Sequence, residues 1–140
     1  MIEEHKAGGH SVFDPIPPEL ERVGREIIGA AIEVHRHLGR GLLEGVYEKA
    51  LAYELGLRKL TAKQEILVPV FYKDLPIDGQ RLDLLVEQGV IVEVKAVERL
   101  IDAHVAQVLS YLRSTELRLG HLINFNIPVL SRGGIKRFVN

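Results

Sequence analysis

A hairpin pattern between Leu82 and Val94 constrains the fold of this chain more than any other feature of its sequence. On both sides of a short polar turn, Glu87-Gln88-Gly89, the even-numbered positions are all apolar: Leu82, Leu84, Val86, Val90, Val92 and Val94. Strict alternation is typical of a β-strand with one face on a hydrophobic core. The sequence therefore predicts two antiparallel strands, over residues 80–86 and 90–96, that turn one apolar face to the core.

The other face of this predicted hairpin carries charge. Its odd-numbered positions include two bases and two acids: Arg81, Asp83, Glu93 and Lys95. A turn centred on Gln88 places Asp83 directly opposite Glu93. Leu85 and Ile91 share this face, which indicates that it is partly covered as well. Two opposed carboxylates repel each other, and partial burial increases the repulsion, so a compensating positive charge is expected.

A hard divalent cation, Mg²⁺ or Mn²⁺, meets this requirement, because such ions bind a few carboxylate oxygens and leave other positions to water and substrate phosphate. Lys95 lies one pleat repeat beyond Glu93, close enough to orient a water or to neutralise charge on a phosphoryl oxygen. This arrangement suits phosphodiester cleavage. The alternative is a purely structural square of salt bridges, in which Asp83 and Glu93 pair with Arg81 and Lys95.

The rest of the sequence predicts helices and strands around the hairpin. Apolar residues at helical spacing predict one helix from Pro18 to Gly39 and a shorter one that ends near Leu57. Strands are predicted over residues 64–72, 121–126 and 135–139, with a helix over residues 102–119. Residues 1–17 have no periodicity and are expected to form a flexible leader. The order of elements predicts a single α/β domain over residues 18–140, with a mixed β-sheet flanked by helices.

The composition of the chain restricts the kinds of functional site that it can form. The chain of 140 residues has no cysteine, which excludes thiolate metal sites, disulfides and cysteine nucleophiles. Because the net charge is −1, a nucleic-acid partner needs a local basic surface. Residues 111–140 offer one, with a single acid, Glu116, and five bases: Arg113, Arg118, Arg132, Lys136 and Arg137. An acidic N-terminal segment and the lack of a long apolar run predict a soluble cytoplasmic protein with no membrane partner.

Two helices add polar residues to the candidate site. On the helix after the hairpin, His104, Gln107 and Tyr111 are spaced three and four apart and form one polar stripe. Near the start of the second helix, Glu44 and Tyr47 lie three apart. Taken alone, the stripe is typical of a solvated helix face, and an acid in a first turn is typical of a favourable helix dipole.

Taken together, these segments resemble the GxxExxY proteins, a branch of the PD-(D/E)XK nuclease superfamily. The resemblance extends from about Gly24 to the C-terminus and depends on four motifs in a fixed order: Gly41-xx-Glu44-xx-Tyr47, Asp83, Glu93-Val94-Lys95 and Gln107-xxx-Tyr111. Two positions depart from the family pattern, since Leu82 and Arg40 stand where relatives have proline.

This resemblance implies a restriction-endonuclease-like fold, with an αβββαβ core preceded by an N-terminal helix. It also implies roles for individual residues. Asp83 and Glu93 are expected as metal ligands, with Glu44 as an additional acid near the metal. Lys95 is expected as the catalytic lysine. Gln107 and Tyr111 are expected to support a metal water or the DNA backbone.

The leading hypothesis is therefore a nuclease that depends on Mg²⁺ or Mn²⁺ and hydrolyses phosphodiester bonds of nucleic acid, with DNA favoured. The alternative is a non-catalytic module that binds nucleic acid or a protein partner and retains only the fold. The small size of the chain leaves a homodimer or a protein partner open in both cases.

Overall fold

The computed structural model describes residues 2–6 and 14–140. Within these residues the chain forms three helices and eight strands, in the order β1 (Glu3–Lys6), α1 (Pro18–Leu38), α2 (Glu44–Leu57), β2 (Ala62–Leu67), β3 (Val70–Tyr72), β4 (Leu75–Ile77), β5 (Arg81–Val86), β6 (Val90–Lys95), α3 (Asp102–Thr115), β7 (Leu119–Asn124) and β8 (Ile135–Val139).

Six of these strands form one mixed sheet in the order β1-β8-β7-β6-β5-β2, while β3 and β4 form a separate hairpin. The pairs β2–β5, β5–β6 and β7–β8 are antiparallel. The pairs β6–β7 and β1–β8 are parallel. The connection from β6 to β7 contains α3, as expected for a parallel crossover. This architecture confirms the predicted mixed sheet flanked by helices.

The first helix follows the predicted pattern closely. Pro18 occupies the first helical turn, where its missing N–H costs nothing. Gly39 ends the helix at a φ of 68°, and its N–H donates to the carbonyl of His35 at 2.8 Å. The buried residues of α1 recur at helical spacing: Val23, Gly24, Ile27, Ala30, Ala31 and Val34. They pack, with the buried face of α2, against one side of the sheet.

Two hydrophobic clusters cover the two faces of the sheet. The larger cluster lies between the sheet and helices α1 and α2 and includes Leu84, Val86, Val90, Val92 and Val94. The smaller cluster lies between the sheet and α3 and includes Ile91, Val108, Leu112, Leu122 and Phe138. Because helices cover both faces of the sheet, polar side chains on β5 and β6 lie in an environment that is largely shielded from water.

The predicted register of the hairpin is confirmed, since Leu85 pairs with Ile91 and Val86 with Val90. The prediction of the apolar face is wrong at one position, Leu82. Leu82 packs in the smaller cluster with Ile91 instead of in the larger cluster with Leu84. The alternation breaks at Asp83, where β2 is also distorted: Gln64 pairs with Leu84 and Ile66 with Leu82, while Glu65 between them has a φ of 55°.

Other boundaries shift for local reasons. The single strand predicted over residues 64–72 is divided into β2 and β3 on either side of Pro69, which has no N–H to donate. The helix predicted to reach residue 119 ends at Thr115, because Glu116 adopts a left-handed conformation with a φ of 59°. This shorter helix lets the following strand, β7, begin at Leu119.

The N-terminal segment differs from the expected leader. Residues 3–6 form β1, which pairs in parallel with residues 136–139 of β8. A strand of four polar residues leaves no hydrophobic period in the sequence, so alternation could not reveal it. Residues 1 and 7–13 lie outside the described part of the chain, and the leader remains a prediction there. Of the three described helices, none has the combination of length and hydrophobicity that a membrane crossing requires.

Candidate active site

Asp83 and Glu93 lie close together just beyond the last pair of the ladder between β5 and β6, Leu84 and Val92. The N–H of Asp83 donates to Oε1 of Glu93 at 2.8 Å. The N–H of Val94 donates to Oδ2 of Asp83, also at 2.8 Å. Each carboxylate thus accepts a backbone N–H from the opposite strand in place of a carbonyl. These two bonds hold both acids in fixed positions and account for the break in side-chain alternation at Asp83.

Two further acids, which the sequence analysis missed, join this pair. Single carboxylate oxygens of Glu48, Glu65 and Asp83 all lie within 4.8 Å of one another. Glu48 follows Glu44 by four residues on α2, a spacing that puts both on one helix face. On β2, Gln64 pairs with Leu84 and Ile66 pairs with Leu82, so Glu65 lies at the level of Asp83. The helical spacing from Glu44 could have indicated Glu48 in the sequence, whereas Glu65 could be found only from the pairing of β2 with β5.

Crowding and burial change how these acids ionise. Glu93 is only 2% exposed, and its burial, followed by the negative charge of Asp83, raises its pKa to about 8. Burial, followed by the charges of Asp83 and Glu65, raises the pKa of Glu48 to about 7. Burial also raises the pKa of Glu44, although the nearby charge of Lys95 opposes this effect. The cluster therefore resists full ionisation unless a further positive charge is present.

Lys95 is the last residue of β6, two positions after Glu93, and is half-buried. Its positive charge favours ionisation of both Glu93 and Glu44, so it lies on the side of the sheet that carries the acids. Among the described residues, neither Asp83 nor Glu93 is ion-paired with Arg81 or Lys95. The structural alternative of a salt-bridge square is therefore not what holds the two acids.

Helix α3 faces the same acids. The hydroxyl of Tyr111 donates to the carbonyl of Arg81 at 2.8 Å and so fixes the start of β5, two residues before Asp83. Burial, together with the charges of Glu93 and Asp83, raises the pKa of Tyr111 to about 12. The side chain of Gln107 lies beside the Tyr111 hydroxyl and opposes this rise in its pKa. Tyr111 is thus close to the acids and Gln107 lies beside it, and neither residue is fully solvated.

In the motif Gly41-xx-Glu44-xx-Tyr47, Gly41 and Tyr47 have structural roles, and Glu44 supplies a polar group. Gly41 has a φ of 102°, which favours glycine. The hydroxyl of Tyr47 donates to the carbonyl of Gly39 at 2.6 Å and accepts from the N–H of Leu42 at 3.2 Å. These contacts hold the turn before α2. Glu44 begins α2 and is exposed as a whole, while its carboxylate is partly desolvated and lies near the backbone of Ala96.

The donor set fits a hard divalent cation. All candidate ligands are carboxylates: Glu44, Glu48, Glu65, Asp83 and Glu93. Oxygen ligands are those that Mg²⁺ and Mn²⁺ prefer, and such an ion would supply the missing positive charge. A mixed sheet flanked by helices, with acids on adjacent strands and a lysine two residues after the second, defines a restriction-endonuclease-like α/β protein with a candidate metal centre.

Comparison with known proteins identifies the family. Residues 21–138, most of the chain, match a family model of the PD-(D/E)XK nuclease superfamily, and the chain belongs to that superfamily. No curated protein and no solved structure matches the chain. The expected restriction-endonuclease-like fold is thereby confirmed. The match does not distinguish the GxxExxY branch from other branches, so that narrower assignment stays a prediction.

The raised pKa values predict how stability depends on pH in the absence of metal. The folded protein holds protons on Glu48 and Glu93 up to about pH 7 and pH 8, whereas these groups ionise near 4.5 when unfolded. Stability of the metal-free protein therefore falls as pH rises, by about 1.4 kcal/mol per pH unit for each extra proton held. Urea unfolding in EDTA between pH 6.5 and pH 8 measures this slope.

In that pH range the carboxylates dominate the slope, and the opposing effect of histidine fades as pH rises. The pKa of buried His121 is lowered to about 4, which makes stability fall as pH decreases below 6.5, in the opposite sense. Glu93→Gln is the matched variant, because the amide oxygen can still accept the Asp83 N–H but does not titrate. We expect a smaller slope in Glu93→Gln. A metal-free wild type that gains stability from pH 6.5 to pH 8 contradicts the prediction.

Proposed function

We propose that this protein is a nuclease that uses Mg²⁺ or Mn²⁺ to hydrolyse phosphodiester bonds of nucleic acid, with DNA as the favoured substrate. One observation carries this proposal: Asp83 and Glu93 are locked face to face by hydrogen bonds at 2.8 Å, and Lys95 follows on the same strand. Membership of a nuclease superfamily supports the same conclusion.

In this proposal Asp83, Glu93 and Glu44 hold the metal ion, and Glu48 and Glu65 contribute further oxygens. When bound, the ion supplies positive charge that stabilises the phosphoryl group and makes water a better nucleophile. The ammonium of Lys95 orients the attacking water and neutralises charge that develops on a phosphoryl oxygen. Tyr111 and Gln107 keep the start of β5 in place relative to α3, which maintains the position of Asp83.

We further assign the chain to the GxxExxY branch. The contacts of the motif support this assignment, because Gly41 and Tyr47 account for the turn and leave Glu44 directed to the backbone of Ala96. The substitution of Arg40 for proline affects an exposed residue of that turn. A cytoplasmic location, expected from the sequence, is part of the same proposal.

The predicted basic surface over residues 111–140 gives this proposal less support than expected. Arg137 is ion-paired with Glu4 and Glu21, and Arg118 donates to backbone carbonyls, including that of Asn140 at 2.8 Å. These two arginines therefore stabilise the fold and are not available as simple phosphate contacts.

The test is cleavage of labelled single-stranded and double-stranded DNA and RNA by purified protein with Mn²⁺ or Mg²⁺. We expect cleavage of at least one substrate, its loss in EDTA, and its loss in Asp83→Asn. The amide oxygen of that variant can still accept the Val94 N–H, so the fold is retained. If the wild type cleaves none of these substrates with either ion, the nuclease proposal is wrong.

A partner-binding module that retains the nuclease fold is the second candidate. An apolar groove of about 270 Å³ between α1 and α2 favours it, with Val34, Leu38, Ala50, Tyr53 and Leu57 in its lining. Tyr53 is 71% exposed and Leu57 62%, which is unusual for large apolar side chains on one surface. Tight binding of a nucleic acid or protein without cleavage of any substrate would favour this candidate.

Residues of α3 are expected to have smaller effects than the acids. Tyr111→Phe removes the hydrogen bond to the carbonyl of Arg81 but keeps the buried ring, and Gln107→Ala removes the amide beside the Tyr111 hydroxyl. Because both act on the position of other groups, we expect each to lower kcat about tenfold. Steady-state kinetics on the best substrate measures this, and losses as large as that of Asp83→Asn would show that the two residues act more directly.

A further inference from the structure

Asn124 is a buried polar residue at the end of β7 with no assigned part in the proposed reaction. Its Oδ1 accepts hydrogen bonds from the N–H groups of Val97 and Asn126, both at 3.1 Å. Its Nδ2 donates to the carbonyl of Val97 at 3.0 Å. The parallel pairing of β6 with β7 ends at Lys95 and Asn124, so this side chain replaces the next rung of the ladder.

Val97, which the Asn124 side chain holds, follows Lys95 of the candidate site by two residues. The carbonyl of Lys95 accepts from the N–H of Phe125 at 2.9 Å. Val97 is held at both its N–H and its carbonyl by Asn124. Residues 95–97 are therefore fixed by the C-terminal end of β7 and by the residue that follows it.

We propose that Asn124 is a positioning residue for the nuclease reaction: its amide fixes the backbone of residues 95–97 and so sets how Lys95 approaches Asp83 and Glu93. This inference rests on the proposed function, because it concerns the same site. Only an amide of this size can both donate to and accept from Val97. Aspartate of equal volume lacks the donor, and leucine lacks both groups.

Misplacing a catalytic group by about 1 Å can cost about 10²-fold in rate even when binding is unaffected. We therefore expect Asn124→Ala and Asn124→Asp to lower kcat by roughly 10- to 100-fold, with KM and metal affinity unchanged. Asn124→Asp keeps the volume and the acceptor for Val97 and Asn126, and Asn124→Leu keeps the volume without burying a charge, so a folded variant remains if Asn124→Ala does not fold.

A double-mutant cycle separates positioning from general destabilisation. If Asn124 acts through Lys95, Asn124→Asp lowers kcat by less than about twofold in a Lys95→Ala background. If the two losses multiply, Asn124 does not act through Lys95 and the proposal is overturned. Asn140→Ala is the matched control, since Asn140 is another buried amide that donates to the carbonyls of Leu112 and Leu117. We expect it to lower the melting temperature but not kcat.

A second readout does not depend on activity. The ¹³C-methyl resonance of reductively methylated Lys95, identified by its absence in Lys95→Ala, reports the surroundings of the ammonium in metal-free protein. We expect Asn124→Leu, which removes the amide without adding a charge, to move this resonance and Asn140→Ala to leave it in place. An unmoved resonance in folded Asn124→Leu overturns the inference. A wild type that cleaves nothing overturns the proposed function instead, and the resonance still decides whether Asn124 positions Lys95.

Discussion

Replacement of Lys95 by alanine is expected to lower the rate of phosphodiester cleavage by about 10²–10³-fold while metal binding persists. Lys95 is two residues beyond Glu93 and its charge favours ionisation of both Glu93 and Glu44, but an ammonium cannot be a metal ligand. Its removal therefore takes charge away from the reacting phosphoryl group without removing an oxygen that binds the ion.

Cleavage of one labelled substrate under identical salt and Mn²⁺ measures this effect, with metal-induced stabilisation recorded on the same samples. Lys49→Ala is a matched control, because Lys49 is an exposed lysine of α2. Lys95→Arg should retain part of the activity, since charge is kept but the compact ammonium is lost. Full activity in Lys95→Ala contradicts a catalytic role for this lysine.

Replacement of Asp83 by alanine is expected to abolish the rise in melting temperature that Mg²⁺ or Mn²⁺ produces in the wild type. The reason is that Asp83 belongs to both parts of the acidic cluster: it faces Glu93 across the hairpin, and its carboxylate lies near those of Glu48 and Glu65. An ion that binds the folded cluster better than the unfolded chain stabilises the fold, by about 2.7 kcal/mol at a hundred times its Kd.

Thermal unfolding with and without the ion measures this gain, and Asp78→Ala is the matched control, because Asp78 is an exposed acid of the loop before β5. Loss of Asp83 has two opposing effects on the metal-free protein. Repulsion with Glu93 and Glu48 is relieved, but the N–H of Val94 loses its acceptor, at a cost of about 1–3 kcal/mol. Asp83→Asn avoids that cost and should be the more stable metal-free variant. An equal metal response in wild type and Asp83→Ala removes the metal assignment.

Local pattern was sufficient to predict the hairpin and the first helix. The turn at Gln88 and strict alternation set the pairing of Leu85 with Ile91, and this register brings Asp83 opposite Glu93. Pro18 and Gly39 marked the ends of α1 because both act through their own backbone geometry. β1 and β4 were missed, and β3 was joined to β2 in one predicted strand, since strands of four or three residues carry too little periodicity to be recognised.

Leu82 and Glu65 are the clearest positions at which the local sequence pattern fails to predict the structure. Alternation predicts Leu82 beside Leu84, but Asp83 accepts the N–H of Val94 with its side chain, and Leu82 turns to the cluster under α3. Glu65 has a left-handed backbone at the same level of the sheet. Such distortions depend on which carboxylate bonds to which strand, and no sequence period encodes that choice.

The sequence by itself determined the acid–acid–lysine order on one hairpin, because strand period and turn position act over a few neighbouring residues. Only the tertiary structure decided that Glu48 from α2 and Glu65 from β2 join Asp83, since helix packing and strand order bring together residues far apart in the chain. It also decided that Glu93 is buried and its pKa raised, because burial depends on the helices covering both faces of the sheet and not on the residue itself.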